Sequence, residues 1–328
     1  MGKTLQSVAV NLISGEVVAI GKDAQQMYGR EARDVTVIAP LLNGVVADFG
    51  RTREMLAHFV SMARSGFSHF SRRALMGVMA GITQVEQRAL LNAAREASIG
   101  RVCMIEGGVA AALGAGVKID DSRAAAIVDI GGATTNVAVV ANAAIVHART
   151  HNIGGWSINE AIMDHVRRHR GLVIGVQTAE RLKLELGSAT VPEDLAKVIQ
   201  LNGRDVLTGS PAAVEITAGE VYPIVHEVIR KIEEVISAAL TEVPAEVAGD
   251  IYSRGIILTG GGSLLDGLED YLAERTKLSV RIADEPRYAM VRGLEQMFDD
   301  PLSLRRVMRC GPSQVLDGDR DLLLRVET

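Results

Sequence analysis

Aromatic residues make up only 3% of this 328-residue chain, with a single tryptophan. The interior must therefore be filled mainly by Ala, Val, Ile and Leu, the side chains that pack strands against helices. Cysteine is scarcer still. Cys103 and Cys310 stand far apart and match no metal or redox spacing, which excludes a disulfide-stapled fold and points to a reducing cytosol. Nowhere do roughly 18 uncharged apolar residues run together, so no segment reads as a bilayer-spanning helix. Met1–Gly2–Lys3–Thr4 leads into alternation, not the apolar stretch of a secretory signal. A basic excess is also missing: 35 Lys and Arg against 40 Asp and Glu leave a formal charge of −5, and with no bulk positive field nucleic acid is not an expected partner. Low-complexity segments and obvious linkers are absent too.

What is present is a long alternation of strand and helix patterns in a chain 48% hydrophobic, enough for two cores. Ser7–Val10 and Glu16–Ile20 read as strands joined at Ser14–Gly15, and the pattern predicts a helix over Arg53–Ala63. Ala74–Met79 reads as a buried strand, and Thr83 with Glu86 as a capping box ahead of a helix closing at Gly100. Ala124–Ile130, Asn136–Val140 and Ala144–His147 read as consecutive strands, the last two joined by a tight turn at Asn142. Helices are predicted over Ile158–Arg168, Thr178–Leu186 and Ile224–Leu240. The last has strict i, i+3, i+4 apolar spacing, with Pro223 at its start and Pro244 past its end.

Two glycine loops carry chemistry. An apolar strand delivers Asp129. Gly131 and Gly132 then make a turn whose amides can face phosphate oxygens, and Ala133, Thr134 and Thr135 lead into a second strand. A carboxylate there can hold the water shell of Mg²⁺; a plain hairpin with a glycine turn is the alternative. Further on, strand Gly255–Leu258 runs into Thr259, Gly260, Gly261 and Gly262 before a helix from Leu264, a loop that can lie flat against adenine or phosphate. No Lys–Ser/Thr follows, so it is not a Walker loop.

The D-x-G-G-x-T-T loop followed by T-G-G-G-S-L-L resembles the second phosphate motif and the adenosine motif of the actin, sugar-kinase and heat-shock-chaperone superfold. With Ala39–Phe49, Gly81–Arg88 and Ala179–Lys183, the chain is similar to the MreB family of bacterial cell-shape proteins from about Ser7 to about Gly293. The resemblance implies an α/β, actin-like (ribonuclease H-like) two-domain ATPase fold, its first domain incomplete at the N-terminus. Domain I would comprise 1–122 and 294–328 (small subdomain about 8–42), and domain II 123–293 (small subdomain about 158–223). It implies ATP and Mg²⁺, with Asp129 holding the metal through water and Gly131–Thr135 on the β- and γ-phosphates. Glu180 and Lys183 would hold ribose and adenine, a pair that spacing alone reads as a solvated helix face; Gly260–Gly262 would line the adenosine. Implied partners are copies of the chain joined head to tail, the membrane surface and wall-synthesis proteins, on the cytoplasmic inner face of the cell membrane.

Three departures from the family pattern stand out. The superfold's first phosphate loop has no counterpart: Asp48–Thr52 has tempting spacing but runs into an amphipathic helix. The residue after Ile105–Glu106, where the family places a water-activating carboxylate, is Gly107, so at most a weak ATPase is expected. Gly155 is followed by Trp156 where the family usually has Asp. These leave open a degenerate module that co-assembles with an intact paralogue, a metabolite kinase of the same superfold, or a start that omits the first loop. Phe67 and Phe70, in a polar loop with Arg neighbours, are the candidate membrane contact. His165 and His169, at i, i+4 among arginines, read as a solvated face.

Overall fold

The structure is a computed structural model that describes residues 7–62, 73–118 and 120–310. The chain opens with β1 (Val8–Asn11), β2 (Val17–Ile20), α1 (Lys22–Met27) and β3 (Val35–Ile38). These strands form a small antiparallel sheet of order β2-β1-β3. A two-stranded ribbon, β4 (Leu41–Leu42) with β5 (Val45–Val46), leads into α2 (Phe49–Met62). Then come β6 (Arg73–Val78), α3 (Gln84–Glu96), β7 (Arg101–Glu106) and α4 (Gly107–Gly114), with β6 and β7 parallel.

The second half begins with β8 (Ala125–Ile130), β9 (Thr135–Ala141) and β10 (Ala144–His151), followed by α5 (Gly155–Arg170). A subsidiary unit of β11 (Leu172–Val173), α6 (Val176–Leu186), β12 (Val198–Asp205) and β13 (Pro211–Thr217) precedes the long α7 (Ala218–Thr241) and α8 (Ala245–Arg254). The chain then runs through β14 (Ile256–Thr259), a 3₁₀ turn Gly261–Leu264, α9 (Leu268–Thr276), β15 (Val280–Ile282), a second 3₁₀ turn Pro286–Tyr288, α10 (Ala289–Asp299) and α11 (Pro301–Cys310). The main sheet has the order β10-β9-β8-β14-β15.

Period-two alternation divides β8 between two cores. Ala126, Val128 and Ile130 face one side with Ile162, Leu182 and Ile232, while Ala125 and Ile127 face the other with Ala110 and Met297. The two halves repeat a strand–helix–strand–helix unit, β6-α3-β7-α4 and β14-α9-β15-α10, each with parallel strands. Helices α4 and α10 meet in a reciprocal contact through small residues. A Cβ on Gly114 would stand 1.8 Å from the Ala289 carbonyl oxygen, and one on Gly293 would stand 1.8 Å from that of Ala110. Backbones this close need residues without side chains at the crossing.

Several boundaries differ from the sequence expectation. Helix α2 starts at Phe49, four residues before Arg53, because Asp48 caps it: its Oδ1 accepts from the Arg51 N–H at 2.9 Å. That places Asp48–Thr52 in a helical turn, not a phosphate loop. Helix α7 begins at Ala218, so Pro223 lies inside it. Thr217 caps the start by accepting from the Glu220 N–H at 3.2 Å; Pro223 takes one backbone N–H out of the helical ladder, and the helix runs on to Thr241. The hairpin β12–β13 escaped the sequence reading, since its buried face is carried by few strongly apolar positions (Leu201 and Ile216 are its fully buried residues). The predicted capping box is present: Thr83 Oγ1 accepts from the Glu86 N–H and Glu86 accepts from the Thr83 N–H.

Candidate functional site

Parallel pairing of β8 with β14 sets Asp129 beside Thr259, and antiparallel pairing with β9 sets it beside Asn136. Thr259 Oγ1 donates to Asp129 Oδ1 at 2.9 Å. Thr150 Oγ1 donates to Asn136 Oδ1 at 2.8 Å, and Asn136 Nδ2 reaches Thr134 Oγ1 at 3.4 Å. As a residue Asp129 is half-buried, but its carboxyl group lies deep at the strand end. Desolvation pushes its pKa above the usual carboxylate value, and hydrogen bonds from Thr259 and Asn136 offset this only in part.

The glycine turn after Asp129 closes with the Gly131 N–H donating to the Thr134 carbonyl at 2.8 Å. Its outer carbonyls dock on the first turn of α5: the Gly155 N–H donates to Gly131 O at 3.0 Å and the Trp156 N–H to Gly132 O at 2.7 Å. A Cβ on Gly154 would sit 2.7 Å from the first of these oxygens, so only glycine lets loop and helix meet. Thr135 is fully buried and its hydroxyl donates to the Ile153 carbonyl at 2.8 Å, so it braces the loop from behind. Ala133 and Thr134 occupy the turn itself.

Helix α6 brings Glu180 and Lys183 to the same place. Lys183, only 9% exposed, donates from Nζ to Glu180 Oε2 at 2.8 Å and to the Gly155 carbonyl at 3.1 Å. Asn159 on α5 donates to the same Glu180 oxygen at 2.7 Å. On the far side, Gly260 and Gly262 press the third loop onto Ile130: a Cβ on Gly260 would stand 2.4 Å from the Ile130 carbonyl oxygen, and one on Gly262 2.3 Å from Ile130 Cγ2. A Cβ on Gly261 would meet only the Arg287 side chain, at 3.7 Å. The glycine turn, the α6 pair and the Gly260–Gly262 loop are thus joined through direct contacts. Phe67 and Phe70 lie outside the described residues.

The opposing wall comes from the first half. A crevice lined by Gly107, Gly108, Asp129, Asn136, Thr150 and Met290 separates the two halves. Gly107 opens α4, and a Cβ there would stand 2.8 Å from Met290 Cε and 3.1 Å from the Val78 carbonyl oxygen. Glu106, one residue earlier, is the N-cap of α4, and burial pushes its carboxyl above the ordinary range. Thr259, Asn136, Thr150 and Asn159 were not among the sequence candidates. The register of β8 against its neighbours is the signal that places the first two, and it exists only once the sheet is paired. His165 and His169 stack at 4.3 Å, with His165 on Glu220, and take no part in the cleft.

Two α/β halves joined through paired helices, with two glycine loops and one helix face meeting beside the sheet ends, make this an actin-like ATPase fold. The chain belongs to the MreB/Mbl protein family, whose model matches residues 4–306. It is 40% identical to the cell shape-determining protein MreB of Escherichia coli K12 over 278 residues, 84% of this chain and 80% of that protein. The structure superposes on MreB5 of Spiroplasma citri bound to ADP with a TM-score of 0.85 at 29% identity, covering 92% of this chain and 90% of that one. It also superposes on MamK in a double helical filament, with a TM-score of 0.74 at 21% identity, covering 90% and 91%; that likeness concerns the fold alone.

Proposed function

We propose that this chain is an actin-like cytoskeletal protein that binds ATP in the cleft beside Asp129 and assembles into filaments that direct cell shape. The observation that carries this is the joining of the Gly131–Thr135 turn, the Glu180–Lys183 pair and the Gly260–Gly262 loop through one set of contacts. The E. coli relative named for cell shape and the ADP-bound Spiroplasma relative support it. In this reading Gly131–Thr135 take the phosphates, Glu180 and Lys183 the sugar and base, and Gly260–Gly262 the adenosine face. A hydrated Mg²⁺ fits the donor set: Asp129 is an enclosed carboxyl whose charge desolvation opposes, with the Thr259 hydroxyl on it and the Thr134 hydroxyl one step further, on Asn136. Asp129 would hold the ion through water, and the ion would neutralise phosphate charge.

Turnover is slow in this reading, because Gly107 offers no side chain to orient water and Met290 fills the space where one would stand. Filaments grow by an open head-to-tail contact of the chain with itself, along the inner face of the cell membrane, with wall-synthesis proteins or an intact paralogue as further partners. Among the described residues no helix is long and apolar enough to cross a membrane. Pelleting and electron microscopy with Mg-ATP, alongside titration calorimetry, test the reading. ATP binding with sedimentable filaments is expected. A chain that binds no adenine nucleotide and stays monomeric would overturn it.

A further inference from the structure

Asn159 is 1% exposed, on the face of α5 turned toward α6. Its carboxamide orientation is fixed by its neighbour: Nδ2 donates to Glu180 Oε2 at 2.7 Å, and a flipped amide would set two acceptors against each other. The carbonyl half of the same side chain, Oδ1, is buried with no hydrogen-bond partner among the described residues. Native structures rarely leave such an atom unpaired unless water or a ligand supplies the missing donor. The surroundings are also unusual for a buried amide. Glu180 Oε2 accepts Lys183 Nζ as well, Lys183 Nζ continues to the Gly155 carbonyl, and the Gly155 N–H reaches the Gly131 carbonyl at 3.0 Å. An unbroken polar path therefore runs from Asn159 through α6 to the phosphate turn.

We infer that Asn159 is a positioning and specificity residue for the sugar end of a ribonucleotide. Through Nδ2 it holds the Glu180 carboxylate in the orientation that receives a ribose hydroxyl. Its unpaired Oδ1 is satisfied in the loaded site by a hydroxyl or by the water that hydroxyl orders. The inference rests on the nucleotide-binding reading above and adds a consequence for selectivity. A site built to pair a hydroxyl penalises the analogue lacking it, because its own polar groups are then left without partners.

The test is calorimetric titration of the full chain with Mg-ATP and with Mg-2′-deoxyATP, for wild type, Asn159→Leu, Asn159→Ser, Glu180→Gln and the Asn159→Leu, Glu180→Gln double variant. Wild type should prefer ATP. Asn159→Leu should weaken ATP by roughly tenfold, as loss of one buried charge-assisted hydrogen bond does, while 2′-deoxyATP changes little, so the preference collapses. The double variant should be no weaker than Glu180→Gln alone, because the two residues act as one unit. Asn159→Ser, which perturbs packing less, should narrow the preference partially and covers the case in which leucine prevents folding. Equal weakening of both nucleotides, additive losses in the double variant, or an unchanged preference would overturn the inference while leaving nucleotide binding intact. A wild type that binds neither nucleotide removes the underlying site reading instead.

Discussion

At the scale of single residues, Asp129 shows how a fold can oppose the ionisation that the metal-holding role proposed for it needs. Burial raises its folded pKa above the unfolded value of 3.8. The folded state therefore binds more protons over that interval, and its stability is greatest below the unfolded pKa. It falls as pH rises toward the folded pKa and then levels off. Asp129→Asn should remove this loss. The ligand-free variant should melt higher than wild type at neutral pH, by about 2–4 °C for each kcal/mol recovered in a domain of 150–250 residues. The same variant should bind ATP with no dependence on Mg²⁺. Calorimetric melting with and without Mg-ATP checks both, and a variant less stable than wild type without ligand would contradict the account. Cys103 is simpler: burial alone pushes its thiol to about 11, so it stays unreactive at neutral pH and behaves as a small apolar residue.

Among the elements, a helix start was legible from sequence where its cap lay within one local motif, and hidden where the cap belonged to an unread strand. Thr83 and Glu86 announce α3 because both halves of a capping box lie within four residues, and Thr83→Ala should cost about 1 kcal/mol in chemical unfolding. The start of α7 was hidden because Pro223 looks like a first-turn residue, whereas the decisive cap, Thr217, ends a strand that the sequence did not reveal. One bridge between elements could not have been read at all. Gln177, on the first turn of α6, donates from Nε2 to the carbonyls of Gln25 and Tyr28 at the end of α1, at 3.3 and 3.1 Å. It thus ties the unit carrying Glu180 and Lys183 to the small sheet of the first half, across 149 residues of sequence in the case of Tyr28. Gln177→Ala should speed release of a fluorescent ATP analogue several-fold in stopped-flow displacement, because helix-terminal carbonyls lose a donor that holds the two units together. An unchanged release rate would show that this bridge does not restrain the cleft.

For the molecule as a whole, the crossing of α4 and α10 joins the halves. Gly114→Leu would drive a side chain into the Ala289 backbone, which cannot yield as a flexible side chain would. The expected loss is about 3 kcal/mol or more, at the top of the overpacking range, read as a lower or split melting transition. Sequence by itself determined much of the alternation of strands and helices, the β12–β13 hairpin excepted, together with the glycine turn after Asp129 and the glycine loop after Thr259, because periodicity, capping and turn chemistry act over a few neighbours. It also carried the resemblance that placed Glu180 and Lys183. Tertiary structure alone decided that Asn136, Thr259 and Thr150 gather around Asp129 and that Asn159 stands behind Glu180. It also decided that Gly114 and Gly293 meet face to face. These are contacts between residues distant in the chain, set by strand register and helix crossing, and no local pattern encodes a distance that exists only after the sheet has paired.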